Sequence, residues 1–508
     1  MPVDVPSVPI SVVAAPAASL ETDVFVVPVI EGEPASLAEC LGPVAYRRAA
    51  EAMASKEFSA KPGSLFVTPV DDEGWRPRRV MLVGLGPRSS HTADRSRRAA
   101  TAAALAVRER KLRSLAILVT DAGAGGGHVQ AVAEGLTLAA YHSGSHKTDA
   151  DSTPTALDAT IVVPADASCD QIDRAMAMAA RGATLGTSTN LARVLANQPG
   201  NVMTPATFAE AAAEVARTCG LGIEVLEEDQ LAALRMGLLL GVGRGSAERP
   251  KLVVVRYQPE QPRPGCHLGL VGKGVTFDAG GISLKSSDGM YKMKDDMAGG
   301  AAVVAAMRAI AMLKPDVRVT GVVPLVENMP GGRALKPGDV LRSAEGKTVE
   351  VLDTDAEGRL VLGDALWYAR RLGATHLVDV ATLTGAIGVA LGRSTTGLFG
   401  TPDWWVELVQ RTATTAGDRV WRMPLFEDYR EQLRSEIADI ANIGGRPAGS
   451  ITAALFIKEF TGACPWVHLD IASTAWAEEA QPHQPKGPTG VAVRTLAELA
   501  CTAADWPA

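Results

Sequence analysis

The stretch Asp353-Thr-Asp-Ala-Glu-Gly-Arg-Leu360 is the most informative segment of the chain. Asp355, Glu357 and Arg359 occupy alternate positions in it, and alternate residues of an extended backbone point to the same face. Two carboxylates and one guanidinium are therefore expected to converge on one spot. This grouping is typical of a site that holds a divalent cation beside a developing negative charge.

A second segment, residues 269–299, also carries charged residues. It reads Gly-Leu-Val-Gly-Lys-Gly-Val-Thr-Phe-Asp-Ala-Gly-Gly-Ile-Ser-Leu-Lys over residues 269–285 and ends in Asp-Met-Ala-Gly. Lys273 and Asp278 lie in an apolar, glycine-rich context that predicts burial. Buried unpaired charges are costly, so these two residues are expected to share a partner. Lys285 and Asp296 add two further charges to the segment.

Together, the two segments resemble the leucyl aminopeptidase (cytosol aminopeptidase) family. The family signature is Asn-Thr-Asp-Ala-Glu-Gly-Arg-Leu, and this chain matches it at seven of eight positions. The Lys273–Lys285 run, Asn442-Ile-Gly-Gly-Arg-Pro447 and His468-Leu-Asp-Ile-Ala472 also match, and the resemblance is strong over residues 189–500. Asp353 replaces the family's Asn and adds a fifth carboxylate. If it points towards the metals it would shift metal preference or pH optimum, and if it points away little changes.

The four motif carboxylates Asp278, Asp296, Asp355 and Glu357 carry a combined charge of −4. Packed together, they would raise one another's pKa values unless cations compensate them. Two divalent cations would supply the matching charge, and a two-metal site suits hydrolysis because it activates water and polarises a carbonyl. Neither motif contains histidine, which favours Mn²⁺ or Mg²⁺ more than a histidine site would. The resemblance implies two divalent ions, Zn²⁺ or Mn²⁺.

The resemblance also implies the metal ligands. Asp278 and Glu357 would each touch both ions, and Asp355 would complete one site with help from its own carbonyl oxygen. Lys273 and Asp296 would complete the other site. A lysine ligates only when neutral, so the metal would have to depress its pKa strongly. The alternative for Lys273 is an ion pair with Asp278.

Two cations are left for catalysis, Lys285 and Arg359. Lys285 could polarise the substrate carbonyl and stabilise the tetrahedral oxyanion. The resemblance implies that Arg359 holds a bicarbonate ion that moves protons as a general base. A structural ion pair with a ligand carboxylate is the alternative for Arg359, and the two roles are compatible.

The substrate pocket follows from the resemblance alone. Its mostly small or apolar residues suit a leucine or methionine side chain, and a free α-amine would bind a metal near Asp296, which makes the enzyme an exopeptidase. The substrate-binding residues implied are Lys285, Met293, Asp296, Thr382, Leu383, Gly385, Ala472 and Ala475.

Composition sets the broad class. The 508 residues are too many for one ordinary core, so about two domains are expected. A net charge of −7 gives no electrostatic case for nucleic-acid or membrane binding.

Six cysteines without CxxC spacing fit a reduced, cytoplasmic setting. No secretory signal is expected, because the first basic residue is Arg47, and no uncharged apolar run reaches the ~18 residues of a membrane span.

The order of apolar runs predicts an α/β fold with two domains. Residues 1–21 are expected to be a flexible tail, residues 22–187 a smaller N-terminal α/β domain, and residues 188–508 a larger catalytic domain whose central mixed β-sheet is flanked by helices. A helix is predicted from residue 189, and a second one after the Thr204 cap. The predicted N-terminal elements are strands at Val24–Ile30, Arg79–Gly84 and Leu115–Thr120 and a helix at Arg95–Arg113.

Motif residues follow directly after predicted strands in the C-terminal part. Lys273 follows the run Leu268–Gly272, residues 381–385 follow His376–Val380, and Ala472 follows Val467–Ile471. Ligand sites of open α/β sheets form outside the carboxyl ends of the strands. The order of the motifs therefore predicts one common site.

The predicted function is a metal-dependent aminopeptidase that releases N-terminal residues, leucine preferentially, from peptides. A Cys-Gly-type dipeptidase would use the same chemistry, and a DNA-binding or scaffolding protein could use the same fold. A carboxylate-rich phosphatase is disfavoured because such sites usually include histidines. The resemblance also implies a homohexamer of two stacked trimers.

Overall fold

The computed structural model describes residues 4–33, 37–119, 127–148 and 156–506. Two compact units divide the chain, one of Val5–Asn190 with Glu478–Lys486 and the other mainly of Leu191–Ala477 with residues 487–506. We propose that these units are the two domains. The predicted boundary at 187/188 gives the whole C-terminal part to the second domain, whereas Glu478–Lys486 groups with the first unit. One boundary along the chain cannot reveal a short segment that returns to the first unit.

The first unit is built on a six-stranded sheet in the order β1-β6-β5-β2-β4-β3, parallel except for β3. Apolar clusters cover both faces of this sheet. Its strands are β1 Ile10–Ala14, β2 Val24–Ile30, β3 Leu65–Pro69, β4 Arg79–Gly86, β5 Ser114–Leu118 and β6 Asp158–Val163. Its helices are α1 Leu37–Cys40, α2 Pro43–Ala54, α3 Ala93–Glu109, α4 Gly127–Leu138 and most of α5 Cys169–Ala196.

Strand β1 corrects the prediction of a flexible tail over residues 1–21. It pairs in parallel with β6, from Ile10 opposite Ala159 to Ala14 opposite Val163. The β-branched side chains in Ile-Ser-Val-Val-Ala suit an edge strand, and pairing with an existing sheet outweighs the proline- and alanine-rich composition around them. Residues 1–3, and Thr120 at the end of a predicted strand, lie outside the described residues.

Helix α5 is much longer than predicted, because it begins at Cys169 and not near residue 189. Gly182 and Gly186 lower its intrinsic helix propensity, but both are needed for packing. A Cβ atom on Gly182 would lie 2.2 Å from the carbonyl oxygen of Gln130, and one on Gly186 would lie 2.7 Å from Thr137 Cβ. Close approach to α4 therefore explains the glycines that interrupt the sequence pattern.

The second unit contains a nine-stranded mixed sheet, which confirms the predicted fold class. Eight strands run in the order β16-β15-β18-β14-β9-β11-β8-β7, and the ninth, β10, pairs with β11. The four central strands β18, β14, β9 and β11 are parallel, and β15, β8 and β7 add antiparallel pairs outside them. The strands are β7 Gly222–Leu226, β8 Lys251–Tyr257, β9 His267–Gly272, β10 Gly274–Asp278, β11 Arg318–Asn328, β14 His376–Ala381, β15 Thr396–Thr401, β16 Val420–Arg422 and β18 Trp466–Asp470.

Helices and short strands complete this unit around a large apolar core. The short strands are β12 Val340–Arg342, β13 Thr348–Glu350, β17 Ile440–Ala441, β19 Trp476–Ala477 and β20 Gly487–Pro488. The helices are α6 Pro205–Cys219, α7 Glu228–Ala233, α8 Gly237–Gly243, α9 Ala298–Leu313, α10 Gly358–Arg371, α11 Gly385–Leu391, α12 Asp403–Ala416, α13 Gly449–Lys458 and α14 Val493–Cys501.

Within the part of the chain that the structure describes, one helical stretch, Met290–Leu313, is long and apolar enough by composition to cross a membrane. Its most apolar window is 83% buried inside the protein. The apolar character of this stretch is accounted for by its place in the core.

His376, the first residue of β14, makes stability depend on pH. Its ring is 7% exposed and lies 5.0 Å from Trp405 and 4.8 Å from Trp506 between ring centroids. Burial lowers the pKa of His376 to about 4, whereas an unfolded histidine titrates near 6.5. The unfolded chain therefore binds the proton first. The contribution of His376 is complete above pH ~6.5 and is lost as the pH falls towards 4.

We expect wild-type protein to lose about 3 kcal/mol of unfolding free energy over this window through His376, at about 1.4 kcal/mol per pKa unit. The His376→Gln variant should be less stable at pH 7 but should lose less on acidification. Urea unfolding of both proteins from pH 7 to 4.5 measures the difference. Parallel stability curves would show that His376 does not titrate in this range.

Candidate metal centre

The carboxyl ends of neighbouring strands bring the two sequence motifs together. Lys273 directly follows β9, and Asp278 ends β10. Asp355 and Glu357 lie in the turn before α10, and carboxylate oxygens of Asp278, Asp355 and Glu357 all lie within 4.8 Å of one another. Asp296 joins this group through its contact with Lys273. The structure therefore places all five predicted ligands in one cluster.

Lys273 is buried between carboxylates. Its Nζ lies 2.7 Å from Asp296 Oδ1 and 2.8 Å from Glu357 Oε1, and it donates to the Thr382 carbonyl oxygen at 2.9 Å. Burial alone would lower the pKa of this ammonium, but the charges of Asp296 and Glu357 outweigh burial and raise the pKa. The alternative prediction, an ion pair between Lys273 and Asp278, is wrong, because Asp296 and Glu357 lie nearer and supply the partners.

Lys285 takes the position beside Asp278. Its Nζ lies 2.8 Å from Asp278 Oδ2 and also contacts Asp355 Oδ1, and its side chain is 23% exposed. Burial opposes the charged form, but Asp278 and the neighbouring carboxylates raise the pKa of Lys285 above its ordinary value. A charged amine thus stands at the accessible side of the cluster.

The carboxyl groups resist ionisation where they are packed together. Burial raises the pKa of Asp296 well above its usual value, and the attraction of Lys273 only partly offsets this effect. Burial and the charge of Asp278 raise the pKa of Glu357 and raise that of Asp355 to about 6. The two lysines could neutralise only half of the four carboxyl groups if all of these were ionised.

This donor set fits a pair of divalent cations. The Oδ2 atom of Asp296 is buried and finds no hydrogen-bond donor among the described residues. The clustered carboxylate oxygens are ligands that Mn²⁺, Mg²⁺ and Zn²⁺ accept. Cations at this cluster would stabilise the ionised carboxylates against the burial and the mutual repulsion that raise their pKa values.

The backbone of the Asp353–Leu360 motif is a turn that leads into α10 and is not extended, which corrects the reason given for its convergence. Glu357 has φ −77° and ψ −34° and caps α10, so a turn brings its carboxylate to the cluster. Gly358 is required by close approach, since a Cβ atom there would lie 2.7 Å from Lys273 Cε. Gly280, at φ +88°, lies against the same loop, and its Cβ would come within 2.9 Å of Asp355 Oδ1.

Arg359 lies in the first turn of α10 and is almost fully buried. Its Nη1 donates to the Asn442 carbonyl oxygen at 2.7 Å, whereas its Nε has no acceptor among the described residues. Burial lowers the pKa of Arg359 to about 10, against the charges of Glu357 and Asp470. The guanidinium therefore stays charged at neutral pH and has a buried donor to offer to an anion.

Asp353, the departure from the signature, is tied to the loop itself. Its Oδ1 accepts a hydrogen bond from the Asp355 amide at 2.9 Å, and its carbonyl oxygen accepts one from Asn442 Nδ2 at 2.6 Å. An asparagine could accept the same bond from the Asp355 amide. These hydrogen bonds hold the turn that carries Asp355.

The predicted pocket residues lie on two segments beside the cluster and on a 3₁₀-helix. Thr382 Oγ1 donates to Asp296 Oδ1 at 2.7 Å. Leu383 is half-buried, and Gly385 and Ala472 are exposed, whereas Ala475 is buried. Met293 is half-buried in the 3₁₀-helix Met290–Asp295, directly before Asp296.

Two polar residues beside the cluster, Asn328 and Asp470, were not predicted. Asn328, which ends β11, donates to Asp278 Oδ1 at 2.9 Å and to the Thr354 carbonyl oxygen at 3.0 Å. Asp470, which ends β18, accepts from Thr384 Oγ1 at 2.6 Å. Their position at the carboxyl ends of apolar runs is the signal that could have identified Asn328 and Asp470.

Known families match both parts of the chain. Residues 190–497 match the family described as "Cytosol aminopeptidase family, catalytic domain", and residues 26–150 match "Cytosol aminopeptidase family, N-terminal domain". A probable cytosol aminopeptidase of Solibacter usitatus (strain Ellin6076) is 47% identical over 494 residues, which cover 97% of this chain and 98% of the relative. A probable cytosol aminopeptidase of Koribacter versatilis (strain Ellin345) is 43% identical over 510 residues, covering 95% and 97% of the two chains.

Two solved structures are also similar to this chain. The bottromycin maturation enzyme BotP in complex with Mn is 39% identical, with a TM-score of 0.83 over 95% of this chain and 99% of that chain. A mutant of tomato leucine aminopeptidase is 31% identical, with a TM-score of 0.87 over 98% and 97% of the two chains. The likeness therefore extends over both units.

Proposed function

The chain belongs to the cytosol aminopeptidase family and is a metal-dependent aminopeptidase, and we propose that the residues of its carboxylate cluster carry this reaction on peptides with a leucine at the N-terminus. The observation that supports the assignment is the meeting of Asp278, Asp355 and Glu357 with two lysines at the strand ends.

Five side chains would hold the metals. Asp278 and Glu357 would contact both ions, Asp355 would complete one site, and Lys273 and Asp296 would complete the other. Two divalent ions, Mn²⁺ or Zn²⁺, would activate a water molecule and polarise the scissile carbonyl. The Mn in the BotP complex supports Mn²⁺. Lys273 would have to give up the proton that its carboxylate neighbours stabilise, so metal binding should release protons.

Lys285 and Arg359 would act on the reacting groups. The Lys285 ammonium, charged and partly exposed beside the cluster, would donate to the oxygen that becomes negative in the tetrahedral intermediate. Arg359 would hold bicarbonate through its buried Nε. Bicarbonate held by Arg359 would supply general-base chemistry beside the metal centre.

The substrate would lie along the segments that carry the pocket residues. Its first side chain would contact Met293, Thr382, Leu383, Gly385, Ala472 and Ala475. Its free α-amine would bind beside Asp296, whose Oδ2 is buried without a donor among the described residues. This arrangement supports removal of one residue at a time from the N-terminus.

We expect leucyl-p-nitroanilide to be cleaved and N-acetyl-leucyl-p-nitroanilide to be inert. Acetylation removes the lone pair with which the amine would bind and adds bulk where the pocket should end. Spectrophotometric measurement of kcat/KM for the two compounds tests this prediction, with leucinamide as a second unblocked substrate. Equal kcat/KM values for the free and the N-acetylated compound would exclude the exopeptidase assignment. The metal centre would then belong to an endopeptidase or an amidase.

The setting and assembly of the enzyme are further parts of the proposal. Cys40, Cys169, Cys219, Cys266 and Cys464 are free thiols, which supports a reducing compartment such as the cytoplasm. We place the enzyme there as a homohexamer. The net charge of −7 does not favour nucleic acid as a partner, and peptides with a free N-terminus would be its substrates.

A further inference from the structure

Asp470 is a fully buried carboxylate outside the metal-ligand set. It ends β18, opposite Ala381 at the end of β14. Its Oδ2 accepts from Thr384 Oγ1 at 2.6 Å. Its Oδ1 lies 3.3 Å from the Leu383 amide, 3.4 Å from the Thr384 amide and 3.2 Å from the Ala472 amide.

These bonds join two separate segments of the chain. The first, residues 382–385, follows β14, and the second, residues 471–475, follows β18. Both carry residues of the proposed pocket. The first segment is also held at its other end, because Thr382 bonds to Asp296 and Lys273. The segment is thus fixed between the metal ligands and Asp470.

We propose that Asp470 is a positioning residue that sets which first side chain the enzyme accepts, an inference that rests on the proposed substrate pocket. One carboxylate fixes the spacing between the two segments because it accepts bonds from both. A shift of either segment would change the width of the space between them. Selection of a large side chain such as leucine needs that spacing more than selection of alanine does.

A buried carboxylate at another position on the sheet gives a matched comparison. Asp379 in β14 is also fully buried. It bonds to His468 Nδ1 at 2.6 Å and accepts from Trp466 Nε1 at 2.6 Å. These partners lie on β18 and carry no pocket residue. Loss of Asp379 should therefore lower stability without changing the choice of substrate.

The test measures kcat and KM of the metal-loaded enzyme with leucyl- and alanyl-p-nitroanilide. In Asp470→Asn the amide nitrogen cannot accept the Thr384 hydrogen bond, and Thr384→Val removes that bond from the other side. Both variants should lower the leucyl-to-alanyl ratio of kcat/KM by about tenfold, the size expected for one buried hydrogen bond to a charged group. The change should come mainly from a higher KM for the leucyl substrate. Metal content should equal that of the wild type.

Thr384→Ser keeps the hydroxyl and should retain the wild-type ratio, and Asp379→Asn should retain it despite a lower melting temperature. If Asp470→Asn does not fold, the comparison of Thr384→Val with Thr384→Ser tests the proposal. The proposal would be overturned if folded Thr384→Val or Asp470→Asn kept the wild-type leucyl-to-alanyl ratio of kcat/KM. It would also be overturned if Asp379→Asn lowered this ratio as much as those variants do. A wild-type enzyme that cleaves neither compound would instead refute the proposed function.

Discussion

Glu357→Ala is expected to lose metal and to lose activity by more than about a thousandfold, as for a residue on which the whole catalytic unit depends. Glu357 is buried, lies within the carboxylate group of Asp278 and Asp355, and contacts Lys273. In the proposed assignment it touches both ions, so its removal weakens both sites together.

Elemental analysis per subunit and turnover of leucyl-p-nitroanilide measure this loss. Asp353→Asn is the matched control, since it changes a carboxylate four residues away whose observed bond an asparagine can keep. The control should bind metal and turn over as the wild type does. A Glu357→Ala protein with wild-type metal content and turnover would show that Glu357 is not part of the metal centre.

Lys285→Ala should keep the metals and lose turnover by about 10²–10³, the usual effect of removing one stabiliser of a developing oxyanion. The Lys285 ammonium contacts Asp278 and Asp355 but is not needed to complete either proposed site. Removal of this positive charge leaves the carboxylates more negative, which should not weaken cation binding. The loss should fall on kcat.

Lys251→Ala is the control for Lys285→Ala. Lys251, the first residue of β8, has a side chain of similar exposure, 15%, and it pairs with Glu227, which caps α7. Its replacement should leave both metal content and kcat unchanged. A metal-depleted Lys285→Ala protein would show that Lys285 is a ligand and that the roles of the two lysines are reversed.

Much of the site could be predicted from the sequence because its chemistry is concentrated in two short motifs. Asp278 and Glu357 stand out as charges in apolar or glycine-rich surroundings, and the strand-end rule predicts that their segments meet. The partners of the lysines could not be predicted in the same way. Lys273 bonds to Asp296 and Thr382, which lie 23 and 109 residues away in sequence, and such pairings depend on the order of strands in the sheet.

Errors in the fold prediction have a similar origin. Strand β1 and the first part of α5 have weak local patterns, and tertiary packing decides both, through β6 in one case and α4 in the other. Asp470 was not predicted because its role depends on hydrogen bonds that it accepts from four donors on two loops. A single carboxylate at a strand end does not reveal how many backbone amides it will meet.

Metal titration of stripped enzyme tests the two-metal centre most directly. The protein is exhaustively chelated, Mn²⁺ or Zn²⁺ is added back in steps, and bound metal per subunit is measured alongside leucyl-p-nitroanilide turnover. The carboxylate cluster predicts no turnover in the stripped protein and a maximum when two ions are bound per subunit. Full turnover in rigorously metal-free protein would contradict it.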